Sequence, residues 1–256
     1  MPLLYLSDLN NQAIASGVSV TASSEASGYP VTNRIAGKPW RSTGVAAEWI
    51  EFDKGAASAF TLAALVGHNL SSAATITVKA GASANPSTFS QVMTWREFTA
   101  FVLFASQSYR YIRIAFVDTT NAYGFLEVRK PILGAYVHSG MSPMFGMTDA
   151  PQFSTRRMET PYFVPSVEEL AERAALTMQF RNLSSTTVTT LKSLIRTLKK
   201  DVNPLFVIPD STVNNGYLMR FAEAPEYTPT TRNASGLLYN TSWSLVEDGL
   251  GNLVAL

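Results

Sequence analysis

The sequence predicts a mainly β protein in two parts, with a β-sandwich or barrel first and a smaller α+β unit after it. Two observations lead to this prediction. Short stretches in which polar and apolar residues alternate, separated by turn residues, run through residues 1–136. Farther along, one stretch with helical spacing of apolar residues lies among strand-like segments. A chain of 256 residues is long enough for two domains of ordinary size.

The first part contains the clearest strands. In residues 109–116, Tyr, Ile or Phe alternates with Arg or Ala, and residues 48–52 place Trp49 and Ile50 on opposite faces. Residues 61–66 form a continuous apolar run, which is typical of a strand covered on both faces. The other predicted strands are residues 4–6, 18–22, 75–79, 125–129 and 132–137. The turn signals between strands are Gly28-Tyr29-Pro30, Lys54-Gly55, Gly81, Asn85-Pro86 and Asn121.

Residues 137–165 change in composition and are rich in Gly, Pro and Met. We predict a linker or extended loop here. The methionines at positions 141, 144 and 147 (Met141, Met144 and Met147) are candidates for an adaptable apolar contact surface with a partner. The alternative is that they fill a gap at the edge of a core.

Residues 166–256 are predicted to form an α+β assembly unit, with a helix over residues 186–200 packed on an antiparallel sheet. The apolar face of the helix consists of Val188, Leu191, Leu194, Ile195 and Leu198. Ser184 or Ser185 is available as its N-cap. The opposite face and last turn carry Lys192, Arg196, Lys199 and Lys200. Such a stripe is typical of a solvated face; its functional alternative is contact with an acidic partner.

Composition excludes several classes of function. Charged residues make up only 15% of the chain, which fits a protein that covers much of its surface with partners as well as any β-rich domain. The net charge of +1 provides no field for nucleic acid, so we expect no sequence recognition there. The lack of cysteine excludes disulfides, Cys-ligated zinc and thiol nucleophiles. No apolar run approaches a membrane span and the first residues have no basic region, so we expect neither membrane insertion nor a signal peptide.

No motif indicates catalysis. The two histidines, His68 and His138, have no partner at metal-ligand spacing, and we expect His68 to bond nearby backbone at a strand end. The acidic pairs are Glu48 and Glu51, Glu168 and Glu169, and Glu247 and Asp248; the pair Glu168-Glu169, with Glu172, looks like a solvated face. The sequence has no Gly-x-Ser-x-Gly, Walker A or Gly-x-Gly-x-x-Gly motif. We therefore expect no enzyme activity, no metal and no cofactor.

The four tryptophans are candidate platforms for sugar. For Trp40 and Trp49 a core position is the favoured alternative. Arg41, beside Trp40, is the best candidate for a residue that faces a ligand. Trp40 and Arg41 are therefore the predicted ligand-binding residues. If Arg41 binds sugar, Arg41→Ala should abolish binding without changing the melting temperature.

The order of turns, tryptophans and strands in residues 22–69 resembles the discoidin-like (F5/8 type C, galactose-binding-like) β-sandwich. The resemblance is carried by Tyr29-Pro30, Gly37-Lys38-Pro39-Trp40-Arg41-Ser42, Glu48-Trp49-Ile50-Glu51-Phe52-Asp53-Lys54-Gly55 and Leu65-Val66-Gly67-His68-Asn69. It covers about residues 15–135. It implies a recognition or assembly module, and we carry over no lipid or calcium site.

The second part is similar to distal tail proteins of long-tailed bacteriophages. The resemblance is carried by Phe180-Arg181-Asn182-Leu183-Ser184, the helix, Pro204-Leu205-Phe206-Val207-Ile208-Pro209-Asp210, Gly216-Tyr217-Leu218-Met219-Arg220-Phe221 and a last strand with Glu247. It implies a virion protein of the tail tip or baseplate, assembled in the host cytoplasm. In that family the smaller domain forms a ring, so we expect a trimer or hexamer. The sandwich would dock other tail proteins or host-surface carbohydrate.

Three functions follow from these patterns. The leading interpretation is a structural component of a phage tail tip that assembles into a symmetric ring. The alternative is a carbohydrate-binding module protein that acts as a monomer. A hydrolase with the sandwich as accessory domain is least favoured, because the second part offers no acid/base constellation.

Overall fold

The computed structural model describes residues 4–7, 10–32, 38–97, 99–138, 148–159, 165–198, 203–208, 216–233 and 236–247. The described strands are β1 (Leu4–Ser7), β2 (Ser19–Ala22), β3 (Trp40–Arg41), β4 (Glu48–His68), β5 (Thr75–Gly81), β6 (Phe89–Val92), β7 (Thr99–Val117), β8 (Glu127–Gly134), β9 (Val137–His138), β10 (Thr148–Glu159), β11 (Pro165–Ser184), β12 (Leu205–Ile208), β13 (Tyr217–Phe221), β14 (Tyr227–Asn233) and β15 (Gly236–Glu247). The described helix is α1 (Ser185–Leu198). The predicted mainly β fold is confirmed.

The first sheet folds over on itself to make a sandwich. Its strand order is β3-β8-β4-β7-β5-β6, with β2 also paired to β4. The early half of β4 pairs with β2, and its late half pairs with β8. Side chains from both halves, including Ile50 and Leu65, share one core with Ile114 and Val128. The two halves are therefore the two layers of the predicted sandwich.

The turn predicted at Lys54-Gly55 is a bulge within one strand. Gly55 has a φ of 75°, and its backbone N–H donates to Asp53 Oδ1 at 2.8 Å. The pairing of β4 with β7 shifts register between Asp53 and Ser58. Glycine at positive φ suits a bulge as well as a turn. The strands predicted at residues 48–52 and 61–66 are therefore parts of the single strand β4.

The late half of β4 is buried on both faces, as its continuous apolar run predicted. Ala63 and Leu65 lie in the sandwich core, whereas Leu62, Ala64 and Val66 belong to a second cluster that includes residues of the other sheet. Leu62, Ala63, Ala64 and Leu65 are fully buried. An apolar run without alternation therefore marks the layer that lies between the sandwich core and the second sheet.

The second sheet has the order β10-β11-β15-β13-β12-β1-β9, with β14 paired to β15. Its strand β1 comes from the N-terminal region and lies between β12 and β9, where Tyr5 pairs with Val207 and Val137. In the sequence, the strands of the sandwich lie between β1 and β9, which are neighbours in this sheet. The sandwich is therefore inserted between two strands of the second sheet. The predicted first domain, residues 1–136, included residues 4–6, whereas β1 belongs to the second sheet. The sequence of so short a strand does not show which strand it pairs with.

Strands also lie in the segment predicted as a linker. Residues 137–165 contain β9, β10 and the first residue of β11. Pro151 lies in the edge strand β10, and Pro165 is the first residue of β11. A sheet tolerates proline at these positions because fewer ladder hydrogen bonds are lost. Met141, Met144 and Met147 lie outside the described residues.

Helix α1 agrees with the sequence prediction. Ser184 is its N-cap, since the Thr187 backbone N–H donates to Ser184 Oγ at 3.1 Å. The predicted apolar residues Val188, Leu191 and Leu198 are buried against the sheet, with Leu194 and Ile195 packed beside them. Strands β12, β13 and β15 follow α1 and pair within the antiparallel sheet that was predicted for this part. The sequence reading missed β14, which contains Pro229 and reads Tyr-Thr-Pro-Thr-Thr-Arg-Asn.

The second sheet docks on the sandwich through the face opposite α1. Phe206 packs against Phe101 of β7, with ring centroids 6.0 Å apart. Thr99 Oγ1 donates to the Gly216 carbonyl at 2.9 Å. A Cβ at Gly216 would lie 2.5 Å from Phe206 Cζ, so only glycine allows this close approach. Among the described residues, no helix has the length and hydrophobicity that a membrane span requires.

Candidate ligand-binding site

The short strand β3 separates the two predicted ligand-binding residues. Adjacent residues of a strand point to opposite faces. Trp40 is 1% exposed, its Nε1–H donates to the Ser24 carbonyl at 3.0 Å, and its ring lies 6.0 Å from that of Phe116. The structure therefore places Trp40 in the core, which was the alternative that the sequence favoured for this residue. Its ring offers no face to a ligand. Arg41 points the other way.

Arg41 lies in a row of aromatic side chains at one end of the sandwich. Its guanidinium carbon is 4.0 Å from the Tyr29 ring centroid and 4.8 Å from that of Phe125. Tyr123 continues the row, with its centroid 6.0 Å from that of Phe125. Tyr123 is 54% exposed. We call Tyr29, Arg41, Phe125 and Tyr123 the aromatic–arginine row; cation–π contact holds its centre together.

A buried carboxylate anchors the row. Arg41 Nε donates to Glu127 Oε2 at 2.5 Å, and the Glu127 side chain is only 2% exposed. The two residues are register partners in β3 and β8. Arg129 lies near the other carboxylate oxygen, with 3.8 Å between Nε and Oε1. Of the five guanidinium donors of Arg41, only Nε–H makes a hydrogen bond to another described residue. Its remaining donors are available to water or a ligand.

The loop after β7 is braced from within by Asp118. This carboxylate is 1% exposed and accepts hydrogen bonds from the Ser71 backbone N–H at 2.8 Å, Ser71 Oγ at 2.5 Å and Asn121 Nδ2 at 3.1 Å. Burial raises the pKa of Asp118, but the hydrogen bonds from Ser71, Asn121 and Thr120 outweigh it and hold the pKa below its ordinary value. The carboxylate is therefore charged at neutral pH.

Two side-chain amides, those of the buried Asn121 and the half-buried Asn69, fix the part of the loop that carries the aromatic rings. Asn121 Nδ2 donates to the Asn69 carbonyl at 2.9 Å, and the Tyr123 backbone N–H donates to Asn121 Oδ1 at 3.0 Å. Asn69 Nδ2 donates to the Phe125 carbonyl at 2.9 Å. Gly124, at a φ of 71°, makes the turn between the two rings. Tyr123 and Phe125 are thus held in place before any ligand arrives.

His68 has the structural role that its position predicts. It is 4% exposed, and its Nδ1 accepts from the Leu70 backbone N–H at 3.3 Å. Burial lowers its pKa to about 4, so the ring is neutral at pH 7. It lies at the end of β4, next to Asn69, which supports the row.

The acidic residues of the sandwich that were considered as an acid pair have structural partners. Glu48 accepts hydrogen bonds from the hydroxyls of Ser23 and Ser24. Glu51 pairs with Arg113, with 2.8 Å between Oε2 and Nη2. Across the described residues, no group of three or more His, Asp or Glu side chains is placed to hold a metal ion.

The other tryptophans are also engaged with protein. One face of Trp49 is covered by the Arg113 guanidinium, 4.0 Å from the ring. Trp95 Nε1 donates to the Leu70 carbonyl at 3.0 Å. Trp243 is fully buried between Phe180 and Phe221, with both centroids 5.1 Å away.

Two of the predicted partner-contact residues, Lys192 and Arg196, lie on α1 and not in the row. Lys192 and Arg196 are exposed on α1, and Lys192 Nζ is 5.3 Å from the Tyr227 ring centroid. Lys199 lies outside the described residues. Sequence reasoning missed Tyr29, Tyr123 and Phe125 as site residues. The available signal was a pair of aromatics around a glycine in a loop, Tyr123-Gly124-Phe125.

No family model matches this chain, and no curated protein matches it. Solved structures are similar to about half of it. Chitosan-binding module 1 of a chitosanase/glucanase from Paenibacillus sp. IK-5 is 21% identical, over 48% of this chain and 97% of that one, with a TM-score of 0.39. The lectin domain of Lectinolysin, complexed with Lewis B antigen, is 17% identical over 49% and 96%, with a TM-score of 0.41.

A third similar structure is CpGH89CBM32-5 from Clostridium perfringens, in complex with GalNAc-β-1,3-galactose. It is 13% identical over 49% of this chain and 99% of that one, with a TM-score of 0.40. At these identities and TM-scores, the likeness is not evidence of a shared ligand.

Proposed function

We propose that this protein is a non-catalytic binding protein that holds carbohydrate at the aromatic–arginine row. The observation that carries the proposal is Tyr123, which is 54% exposed on a loop braced by buried Asp118 and Asn121. A rigid, exposed tyrosine supplies a large amphipathic contact area at a small entropic cost. Holding such a ring exposed to solvent serves a ligand rather than the fold.

The chemistry of the row suits a sugar. A pyranose has an apolar C–H face and a rim of hydroxyl groups. Tyr123 and Phe125 offer ring faces to the first, and Arg41 offers unused N–H donors to the second. A few polar groups among aromatic side chains are typical of sites that orient small ligands. A wholly apolar ligand would leave the Arg41 donors without partners.

The carboxylates near the row support a binding role rather than hydrolysis. Glu127 is held by Arg41, and Asp118 is held by Ser71 and Asn121. Glycosidase chemistry needs two carboxylates that flank the bond to be cleaved, one of them with a raised pKa. The pKa of Asp118 is lowered instead.

The decisive variant is Tyr123→Ala, measured by calorimetry against the saccharide selected from a glycan panel. We expect at least about a ten-fold loss of affinity at an unchanged melting temperature, because a hot-spot aromatic is worth about 2 kcal/mol or more. Val92→Ala is the matched control, since Val92 is 58% exposed on β6. The proposal is wrong if no glycan binds, or if Tyr123→Ala binds as tightly as the parent protein.

The tail-tip interpretation remains a second candidate, and one observation favours it. Strand β10 is 12 residues long and, within the described part of the chain, pairs only with β11. A free edge of this length is a template for pairing with another copy, and a closed ring removes such edges. Light scattering with negative-stain images of the same fraction tests this. A trimeric or hexameric ring supports the tail-tip role, and a monomer supports the carbohydrate-binding module.

A further inference from the structure

A cleft of about 470 Å³ opens on the second sheet, away from the aromatic–arginine row. Its floor includes Gln179 of β11 and Ser242 and Ser244 of β15, and Gln179 and Ser242 are register partners. The segment between β13 and β14 contributes Glu223 and Glu226. The volume lies in the range of small-molecule sites, about 300–1,000 Å³.

The floor residues lie on the face of the second sheet that packs against the sandwich at β12 and β13. Met178 and Trp243, the neighbours of the floor residues along the strands, point to the helix side and are buried there. On the docking face, Phe206 and Leu218 of β12 and β13 are covered by the sandwich. The same face becomes polar at β11 and β15, where the sandwich does not cover it. Its polarity therefore fits contact with water or a polar ligand rather than with protein core.

Several polar side chains of the cleft have unused capacity for hydrogen bonds or ion pairs. The side chains of Gln179, Ser242 and Ser244 make no hydrogen bond to any other described residue. Arg181, Glu223 and Glu226, which also line the cleft, form no ion pair within the described residues. Two carboxylates against one guanidinium make the lining net negative.

We propose that this cleft is a second ligand site, specific for a saccharide unit that carries a protonated amino group. Gln179, Ser242 and Ser244 supply donors and acceptors for sugar hydroxyls. Glu223 and Glu226 attract the ammonium group. The site goes beyond the proposed function, because it lies on the other sheet and reads its ligand by hydrogen bonds and charge instead of by aromatic contact.

The test is titration of the ¹⁵N-labelled full chain with three matched probes, glucosamine, N-acetylglucosamine and glucose, at up to about 10 mM each. We expect glucosamine to bind about three- to ten-fold more tightly than glucose, the effect of two exposed ion pairs. The amide shifts should map to residues of the cleft. Raising the pH until the amine is neutral should remove the preference.

The double variant Glu223→Gln/Glu226→Gln should bind glucosamine no better than glucose. Glu97→Gln is the control, because Glu97 is exposed on the sandwich and should leave the preference unchanged. Ser242→Ala should weaken all three probes. An equal affinity for the three probes in the parent protein overturns the proposal, and so does a preference that survives the double variant.

Tyr123→Ala separates this site from the row. Glucosamine binding at the cleft should be unchanged in that variant, whatever happens to glycan binding at the row. Loss of the glucosamine shifts in Tyr123→Ala would assign the amine to the row and overturn the cleft proposal. Binding of trilysine without binding of any of the three sugars would also overturn it, in favour of a basic peptide.

Discussion

The row and the cleft are built from different kinds of structure. The aromatic residues of the row lie on loops and Arg41 lies on the short strand β3, and buried polar side chains such as Asp118, Asn121 and Glu127 hold them. The floor of the cleft lies on β11 and β15, where the backbone ladder itself fixes each residue. A loop site depends on a network of side chains for its preorganisation, whereas a strand site gets it from the main chain. The two sites should therefore respond differently to mutation and to pH.

The distribution of buried polar groups follows the same division. In the described part of the chain, the buried polar or charged residues of the sandwich are Asn11, Ser42, Glu48, Glu51, His68, Asp118, Asn121, Glu127 and Lys130, whereas the second sheet has Thr241. Buried polar networks raise the energetic penalty for each lost partner. The sandwich therefore holds the positions at which single substitutions should be most damaging to a site.

Asp118→Ala should have the largest effect. It removes a buried acceptor of three hydrogen bonds from Ser71 and Asn121, so we expect a loss of about 3 kcal/mol in the free energy of unfolding. Glycan binding at the row should fall with it, since the loop loses its brace. Urea unfolding and calorimetry measure the two effects.

Asp53→Ala is the matched control for Asp118→Ala. Asp53 pairs with Arg110 on the exposed face of the sheet, with 2.7 Å between Oδ1 and Nε, and 27% of its side chain is exposed. Exposed ion pairs contribute little to stability. Equal losses in the two variants would contradict the brace.

Arg41→Ala should come next, with a loss of about 2 kcal/mol. The substitution leaves the Glu127 carboxylate buried, and its remaining ion-pair contact among the described residues is Arg129 Nε, 3.8 Å away. Removing one partner of a buried ion pair leaves the other charge buried without compensation. The structure thus predicts a lower melting temperature for Arg41→Ala, where the sequence alone predicted an unchanged one. The variant is therefore a poor test of sugar binding by itself.

A double-mutant cycle with Glu127→Gln isolates the pair. The neutral amide at position 127 should restore part of the stability that Arg41→Ala removes, because no buried charge is then left alone. Additive losses in the double variant would mean that Arg41 stabilises the fold through Tyr29 and Phe125 rather than through Glu127.

Acid should lower the stability of the sandwich, in which His68 is buried. Burial lowers the pKa of His68 to about 4, below the value near 6.5 of an unfolded histidine. The folded state therefore binds fewer protons than the unfolded state between these values, and stability falls as the pH drops through that window. We expect a loss of about 1 kcal/mol between pH 7 and pH 5.5.

His68→Gln should remove this part of the pH dependence, because glutamine does not titrate. Chemical denaturation at several pH values gives the slope for both proteins. A slope that persists in His68→Gln would assign the acid sensitivity to other groups. The cleft should keep its amide shifts over the same range.

Much of the fold follows from the spacing of apolar residues along the sequence and from residue type. The continuous apolar run of residues 61–66 predicted a strand covered on both faces, and the spacing from Val188 to Leu198 predicted the buried face of α1. The sequence offered Ser184 or Ser185 as the N-cap, and in the structure the Thr187 N–H donates to the Ser184 hydroxyl oxygen. Each of these features depends on residues that are close in sequence, so local chemistry determines them.

The sites were harder to predict because they depend on distant pairings. Trp40 and Arg41 point to opposite faces only because β3 pairs with β8, and two residues are too few to show alternation. Asp118 braces the row through Ser71, which is 47 residues away. Gly55 permits a bulge as readily as a turn, and the pairing of β4 with β7 decides between them. The pairing of strands that are distant in sequence therefore determines these features, and local sequence patterns do not.

Ser242→Val should have the smallest effect on stability and the clearest effect on the cleft. Ser242 is exposed and makes no side-chain hydrogen bond to a described residue, and valine is well suited to strands, so the free energy of unfolding should change by less than about 0.5 kcal/mol. Glucosamine should bind the cleft more weakly, since the hydroxyl is lost from its floor. A loss of stability above about 1 kcal/mol would show that the cleft, like the row, depends on its side chains.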